Sequence, residues 1–83
     1  MPPRSELPDR IKQNKFTHVL NSLGFEISKK GGKGSHYKAT WPKTQKSITI
    51  QKDLRRDVIY YLVGQIEEIT NKEITWESIE KNL

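Results

Sequence analysis

Residues 31–41, GGKGSHYKATW, place a glycine-rich turn directly before a stretch of alternating side chains. Glycine adopts positive φ readily and leaves the backbone uncovered, so residues 31–34 predict a tight turn. After this turn Tyr37, Ala39 and Trp41 alternate with polar residues, which is the period of a β-strand. The segment therefore predicts a strand with one face toward the helices and an opposite, open face that carries His36, Lys38 and Thr40.

Two neighbouring strands follow from the same pattern. Phe25 and Ile27 have period-two character ahead of the turn and predict a short first strand. Residues 42–45 form a polar turn, and residues 47–50, SITI, predict a third strand with Ile48 and Ile50 on one face. The middle of the chain is therefore expected to form three antiparallel strands.

Amphipathic helices flank these strands. The expected apolar positions are Ile11, Phe16, Val19, Leu20 and Leu23 in the first helix and Leu54, Val58, Tyr61, Leu62, Ile66 and Ile69 in the second. Asp9 and Asp53 are the predicted N-caps, because a carboxylate accepts the free N–H groups of a first turn. Gly24 ends the first helix. Thr75 caps a short final helix, residues 75–80.

The predicted order is helix, three antiparallel strands, helix and a short helical tail. Helices on one face of a three-stranded sheet make an α+β two-layer fold. With 83 residues the chain is expected to form one domain. Its predicted parts are an extended N-terminal segment at residues 1–9, a main body at residues 10–70 and an acidic helical extension at residues 71–83, whose Trp76 and Ile79 pack on the body or on a partner.

Charge is distributed unevenly along the chain. The net charge is +5, but residues 10–56 contain twelve Lys and Arg against two acidic residues, whereas residues 57–83 contain two Lys against six acidic residues. A basic body joined to an acidic tail favours a polyanion as the partner of the first part. Basic surface also serves solubility alone, so charge by itself does not identify that partner.

The composition excludes several classes of protein. There is no cysteine, so the chain has no disulfide framework and no thiol nucleophile. The two histidines are too few for a histidine-rich metal site, and we expect no metal and no cofactor. No apolar run approaches the roughly 20 residues of a membrane span. The N-terminus has no signal-peptide pattern, so we expect a cytoplasmic protein.

Residues 20–25, LNSLGF, followed by residues 32–37, GKGSHY, and then by the strand SITI, resemble the HicA-like toxins of toxin–antitoxin pairs. The resemblance covers residues 12–69. It implies a double-stranded-RNA-binding-domain-like α-β-β-β-α fold, ribosome-independent cleavage of mRNA and a HicB-like antitoxin as partner. The catalytic histidine of the family follows Gly-Ser, which corresponds to His36. The family often has a second histidine next, where this chain has Tyr37.

The chemistry of RNA cleavage fits the residue types in this segment. A histidine titrates near neutral pH and suits proton transfer, so His36 is the candidate general base or acid. Lys33 and Lys38 are expected to bind the phosphate, and Ser35 to orient it. Gly32 and Gly34 permit close approach of the backbone. A second proton-transfer group is needed, and Tyr37, Lys33 and water stay open for that role.

Three further residues have two interpretations each. Arg55 and Arg56 lie in the first turn of the second helix, where positive charge opposes the helix macrodipole. They either bind phosphate or form a solvated helix start. His18 lies inside the first helix and is interpreted as a structural, half-exposed residue rather than a catalytic one.

Two alternatives to a nuclease remain. A basic α+β domain can bind double-stranded RNA by its shape and phosphates without cleaving it, with His36 as a mere contact. The chain can also be a protein-interaction domain, for which the acidic final segment offers Trp76 and Ile79. In the plainest interpretation, residues 31–36 are a flexible hairpin turn with a solvated histidine.

Overall fold

A computed structural model describes residues 2–29 and 36–83 of the chain. Within these residues the elements are a 3-10 turn (Arg4–Glu6), β1 (Arg10–Ile11), α1 (Gln13–Ser22), β2 (Glu26–Lys29), β3 (Tyr37–Trp41), β4 (Lys46–Ile50), β5 (Leu54–Arg55), α2 (Arg56–Ile69) and α3 (Trp76–Lys81). The prediction of an α+β architecture with a three-stranded antiparallel sheet is confirmed.

The main sheet has the order β2-β3-β4 and is antiparallel throughout. Its register aligns Ile27 with Ala39 and Ala39 with Ile48, so these side chains share one face. Ala39 and Ile48 are buried. Helix α1 contacts β2 and β3, and α2 contacts β4. The sheet therefore buries one face under the helices, and the face that carries Lys38 is open.

The core face of α2 differs from the predicted one. The buried residues of this helix are Ile59, Leu62, Val63, Ile66 and Ile69. Tyr61 was expected among them, but it is 65% exposed, so that prediction is wrong. Residues 58–63, VIYYLV, are apolar on every side, and periodicity alone does not choose the face. The helix buries its aliphatic side chains and leaves the Tyr61 hydroxyl near water.

The two predicted N-caps are wrong, because a small ribbon occupies the chain just before each helix. Strands β1 and β5 pair antiparallel, with Ile11 opposite Leu54, and both of these side chains are buried. This pairing holds the backbone extended where helix was expected. Helix α1 therefore begins after Lys12 and α2 after Arg55, and neither N-cap residue makes a side-chain capping bond.

The N-terminal segment packs on α2. Leu7 is 2% exposed, and its carbonyl accepts a hydrogen bond of 3.1 Å from Nε of Arg56. The Arg4 guanidinium lies 4.8 Å from the ring centroid of Tyr60. Asp9, expected to cap α1, forms an ion pair with Arg56 instead. The segment predicted to be extended thus contains a 3-10 turn and contributes Leu7 to the core.

The C-terminal extension also belongs to the core. Trp76 and Ile79 of α3 are 4% and 0% exposed. Thr70 fixes the turn before α3: its Oγ1 donates to the carbonyl of Ile66 at 2.7 Å and accepts from the N–H of Ile74 at 3.2 Å. Thr75 is the N-cap, as predicted. A hydrogen bond from its side chain lowers the pKa of Glu77 below the usual range of a carboxyl group.

Candidate active site at the β4–α2 cleft

His36 lies immediately before β3 and is exposed. Because side chains alternate along a strand, His36 shares the open face with Lys38, whereas Tyr37 faces the core. Burial within β3 agrees with this alternation, since Lys38 is exposed and Tyr37 is half-buried against the core. Extending the alternation of β3 by one residue puts His36 on the face of Lys38.

A cleft of about 830 Å³ opens between β4 and α2 beside His36. The sheet side supplies the polar residues Ser47, Thr49 and Gln51, together with His36. The apolar lining residues are Ile48, Val58 and Leu62. Helix α2 supplies three further residues with polar groups, spaced four apart. The α2 residues are Asp57, Tyr61 and Gln65.

Sequence reasoning missed the sheet-side residues Ser47, Thr49 and Gln51 of the cleft, and it also missed Asp57, Tyr61 and Gln65 on α2. Their spacing of four places them on one helix face, and this signal is present in the sequence. Which face of α2 meets β4 depends on how the helix docks, and the apolar run at residues 58–63 conceals it. Tyr61 was therefore expected in the core, whereas it lines the cleft.

Tyr37, a candidate for the second proton transfer, lies away from this cleft. It lines a separate depression with His18, Asn14, Thr17, Asn21 and Ile27. His18 itself is exposed on α1. The two histidines therefore occupy different surfaces of the described chain, and the cleft beside β4 contains only His36 of the two.

The expected phosphate ligands fall into two groups. Gly32, Lys33, Gly34 and Ser35 lie outside the described residues, and their roles stay predictions. Lys38 is described and exposed. The register places it between Ser28 and Thr49. Within the three strands of the described sheet, the charged residues on this face are Lys38 and Glu26, so the open face is only weakly charged.

Arg55 and Arg56 have different surroundings, although they are neighbours in sequence. Arg56 is half-buried, and it holds the N-terminal segment through Leu7 and Asp9. Arg55 is exposed, and its Nε donates to Oδ2 of Asp53 at 2.9 Å. Of the two, Arg55 is the one that a phosphate can approach.

A second, basic cleft of about 490 Å³ lies along the β1–β5 ribbon. Its charged lining residues are Arg10, Lys12, Lys52 and Asp53. Gln51 lines the His36 cleft and the next residue, Lys52, lines the basic one, so the two clefts adjoin along the chain. Three of the twelve Lys and Arg residues in the basic stretch, residues 10–56, thus line this cleft.

Within residues 2–29 and 36–83, no group of three or more His, Asp or Glu side chains could hold a metal ion. No helix in these ranges is long and apolar enough to cross a membrane. Comparison with protein-family models, curated proteins and solved structures yields no match for the chain.

Proposed function

We propose that the protein is the toxin of a HicA-like toxin–antitoxin pair, a ribosome-independent and metal-independent endoribonuclease that cleaves mRNA in the cytoplasm. The order α1-β2-β3-β4-α2 is compatible with the double-stranded-RNA-binding-domain-like fold that the sequence resemblance implies. One observation carries the proposal. The exposed His36 lines a cleft and shares its strand face with Lys38.

RNA carries its own nucleophile, the 2′-hydroxyl group. A base removes its proton, the 2′-oxygen forms a bond to phosphorus, and the bond from phosphorus to the 5′-oxygen breaks. The products are a 2′,3′-cyclic phosphate and a 5′-hydroxyl that has taken up a proton. His36 performs one of these two proton transfers, because an imidazole can both accept and donate a proton.

Positive charge near the phosphate stabilises the transition state. Lys38, on the same face as His36, supplies part of it, and Lys33 with the backbone of Gly32 and Gly34 is expected to supply more. Ser35 orients the phosphate. The second proton transfer falls to Lys33 or to water, since Tyr37 points to the opposite face of β3.

A HicB-like antitoxin is the proposed protein partner. It would block substrate most directly by covering His36 and the cleft between β4 and α2. The basic cleft along the β1–β5 ribbon favours an acidic antitoxin surface, because complementary charge speeds association and selects the partner.

The test is cleavage of a 5′-labelled single-stranded RNA by the purified protein, with and without a chelator. His36→Ala is expected to lower the cleavage rate by about 100-fold or more, the usual contribution of a general acid or base. His18→Ala is the matched control, because His18 is also exposed but lies on another surface. A 2′-deoxy sugar at the scissile position must abolish cleavage by every variant.

Two results would contradict the proposal. Cleavage by His36→Ala at the rate of the unchanged protein would remove His36 from the reaction. RNA binding without cleavage under all conditions would favour the non-catalytic RNA-binding alternative. Expression in cells should arrest growth, and His36→Ala should relieve the arrest while His18→Ala does not.

A further inference from the structure

The walls of the cleft beside His36 are polar but not basic. Among its described lining residues there is no Lys or Arg, and the charged group on the α2 wall is the carboxylate of Asp57. A carboxylate repels phosphate, so the α2 wall of this cleft, unlike the sheet face that carries His36 and Lys38, does not suit the backbone of a nucleic acid. Its hydrogen-bonding groups suit a neutral, polar ligand.

Tyr61 is the most exposed large apolar side chain of the described residues, at 65%, and the C-terminal Leu83 is next at 37%. It lies on the α2 wall of the cleft, between Asp57 and Gln65. An exposed aromatic ring beside hydrogen-bonding groups is typical of surfaces that bind unpaired bases, since every base can stack on such a ring.

We propose that the β4–α2 cleft binds one unpaired nucleobase, stacked on Tyr61 and held by the carboxylate of Asp57. Cleavage of the bound RNA rests on the function proposed above, but binding of the base to the cleft does not. An ionised carboxylate accepts two hydrogen bonds from neighbouring donors. Guanine offers such a pair in its N1–H and N2–H groups, whereas uracil offers a single N–H between two carbonyls. The cleft therefore favours guanine.

The surroundings of the cleft fit a single strand entering it. Lys38 lies on the adjoining sheet face, and the chain passes from Gln51 in the cleft to Lys52 in the basic cleft. The base enters the polar cleft while neighbouring phosphates stay near these cations. A duplex cannot bind in this way, because its Watson–Crick edges are already paired and its bases are stacked.

The experiment measures binding rather than cleavage. Pentanucleotides of 2′-O-methyl RNA, which lack the nucleophile, carry G, A, C or U at the centre of a uridine tract, and the unchanged protein is titrated with each. We expect the G-centred oligonucleotide to bind about tenfold tighter than the all-U one, the size of one good base contact. A hairpin with G paired should bind no better than the all-U strand.

Three variants test the residues. Tyr61→Ala should weaken binding of all four oligonucleotides by about tenfold, and Tyr61→Phe should retain most of the affinity because its ring still stacks. Asp57→Asn should remove the preference for G. Glu80→Gln, which removes an exposed carboxylate on α3 that does not line the cleft, is the matched control and should leave the preference unchanged.

Equal affinity for the four oligonucleotides, or unchanged affinity in Tyr61→Ala, would overturn the proposal. The proposal would also be overturned if oligonucleotide binding changed the NMR chemical shifts of other residues but not those of Asp57 and Tyr61. The cleft would then be a candidate site for a strand of a partner protein that pairs with β4. Failure here is distinguishable from failure of the nuclease. If Tyr61→Ala cleaves RNA at the rate of the unchanged protein, only the proposed base site is contradicted. If the protein binds the G-centred oligonucleotide selectively but cleaves no RNA, only the proposed nuclease activity is contradicted.

Discussion

Arg10 and Arg55 stand directly opposite each other across the β1–β5 ribbon, and Asp53 forms an ion pair with each of them. The distances are 3.6 Å from Oδ1 to Nε of Arg10 and 2.9 Å from Oδ2 to Nε of Arg55. Like charges opposite each other destabilise a strand pair. Asp53 offsets that repulsion, and the ribbon keeps an excess of positive charge with Lys12 and Lys52 beside it.

Replacing Asp53 by Asn should have opposite effects on stability and on RNA binding. Losing these exposed pairs should lower the free energy of unfolding by up to about 1 kcal/mol, and by less at high salt. RNA affinity should rise, because the cleft gains net positive charge. Urea denaturation and fluorescence anisotropy at low and high salt measure the two effects.

Glu73→Gln is the matched control for this change. Glu73 pairs with Lys43 at 2.8 Å, also on the surface but away from the ribbon. Glu73→Gln should lower the free energy of unfolding by a similar, small amount, and it should alter RNA affinity much less than Asp53→Asn does. Equal gains in RNA affinity from both variants would mean that net charge, not the ribbon, attracts RNA.

The C-terminal helix α3 should be required for stability. Ile79 is fully buried in the core, so Ile79→Ala should lower the free energy of unfolding by about 2–5 kcal/mol. Leu83→Ala, at a half-exposed terminal position, is the control and should change it by no more than about 0.5 kcal/mol. Urea denaturation measures both. If deleting residues 76–83 left stability unchanged, α3 would be a docking element for a partner instead of part of the fold.

The strands could be predicted because their signal is local. Alternation within residues 37–41 fixes which side chains share a face, and extending it by one residue puts His36 on the face of Lys38. The β1–β5 ribbon has no such signal, since each strand is two residues long and its partner is more than 40 residues away. Because of the ribbon, both helices begin later in the chain than predicted. The ribbon also brings together the residues of the basic cleft, which no local sequence pattern predicts.

The cleft itself could be predicted only in part. His36 was found from its position after the glycine turn, whereas Asp57 and Tyr61 enter the site through the docking of α2 on β4. Docking is decided by which apolar side of residues 58–63 packs best, and a single sequence does not encode that choice in its periodicity. The sequence therefore predicts His36 on the sheet side of the site but none of the residues on its helix side.

Gly24 should not tolerate a side chain. Its φ is +113°, a conformation that residues with a Cβ rarely adopt, and a Cβ there would lie 3.3 Å from Cζ3 of Trp41. Gly24→Ala should therefore lower the free energy of unfolding by about 1–3 kcal/mol. Gly64→Ala, inside α2, should instead raise the free energy of unfolding by up to about 1 kcal/mol, because alanine has a higher helix propensity than glycine. Thermal unfolding of both variants is the measurement, and equal melting temperatures would contradict the expected strain at Gly24.

RNA affinity should fall steeply with salt, and the basic cleft should set part of that slope. Each phosphate neutralised on a single strand contributes about −0.7 to the slope of log affinity against log salt concentration. Arg10→Gln and Lys52→Gln should each make the slope shallower by about that amount. Lys43→Gln, whose lysine is already paired with Glu73 away from the ribbon, should leave the slope nearly unchanged. Anisotropy titrations of one labelled RNA over a salt series provide the slopes. If Lys43→Gln flattened the slope as much as Lys52→Gln, the phosphates would not follow the path along the β1–β5 ribbon.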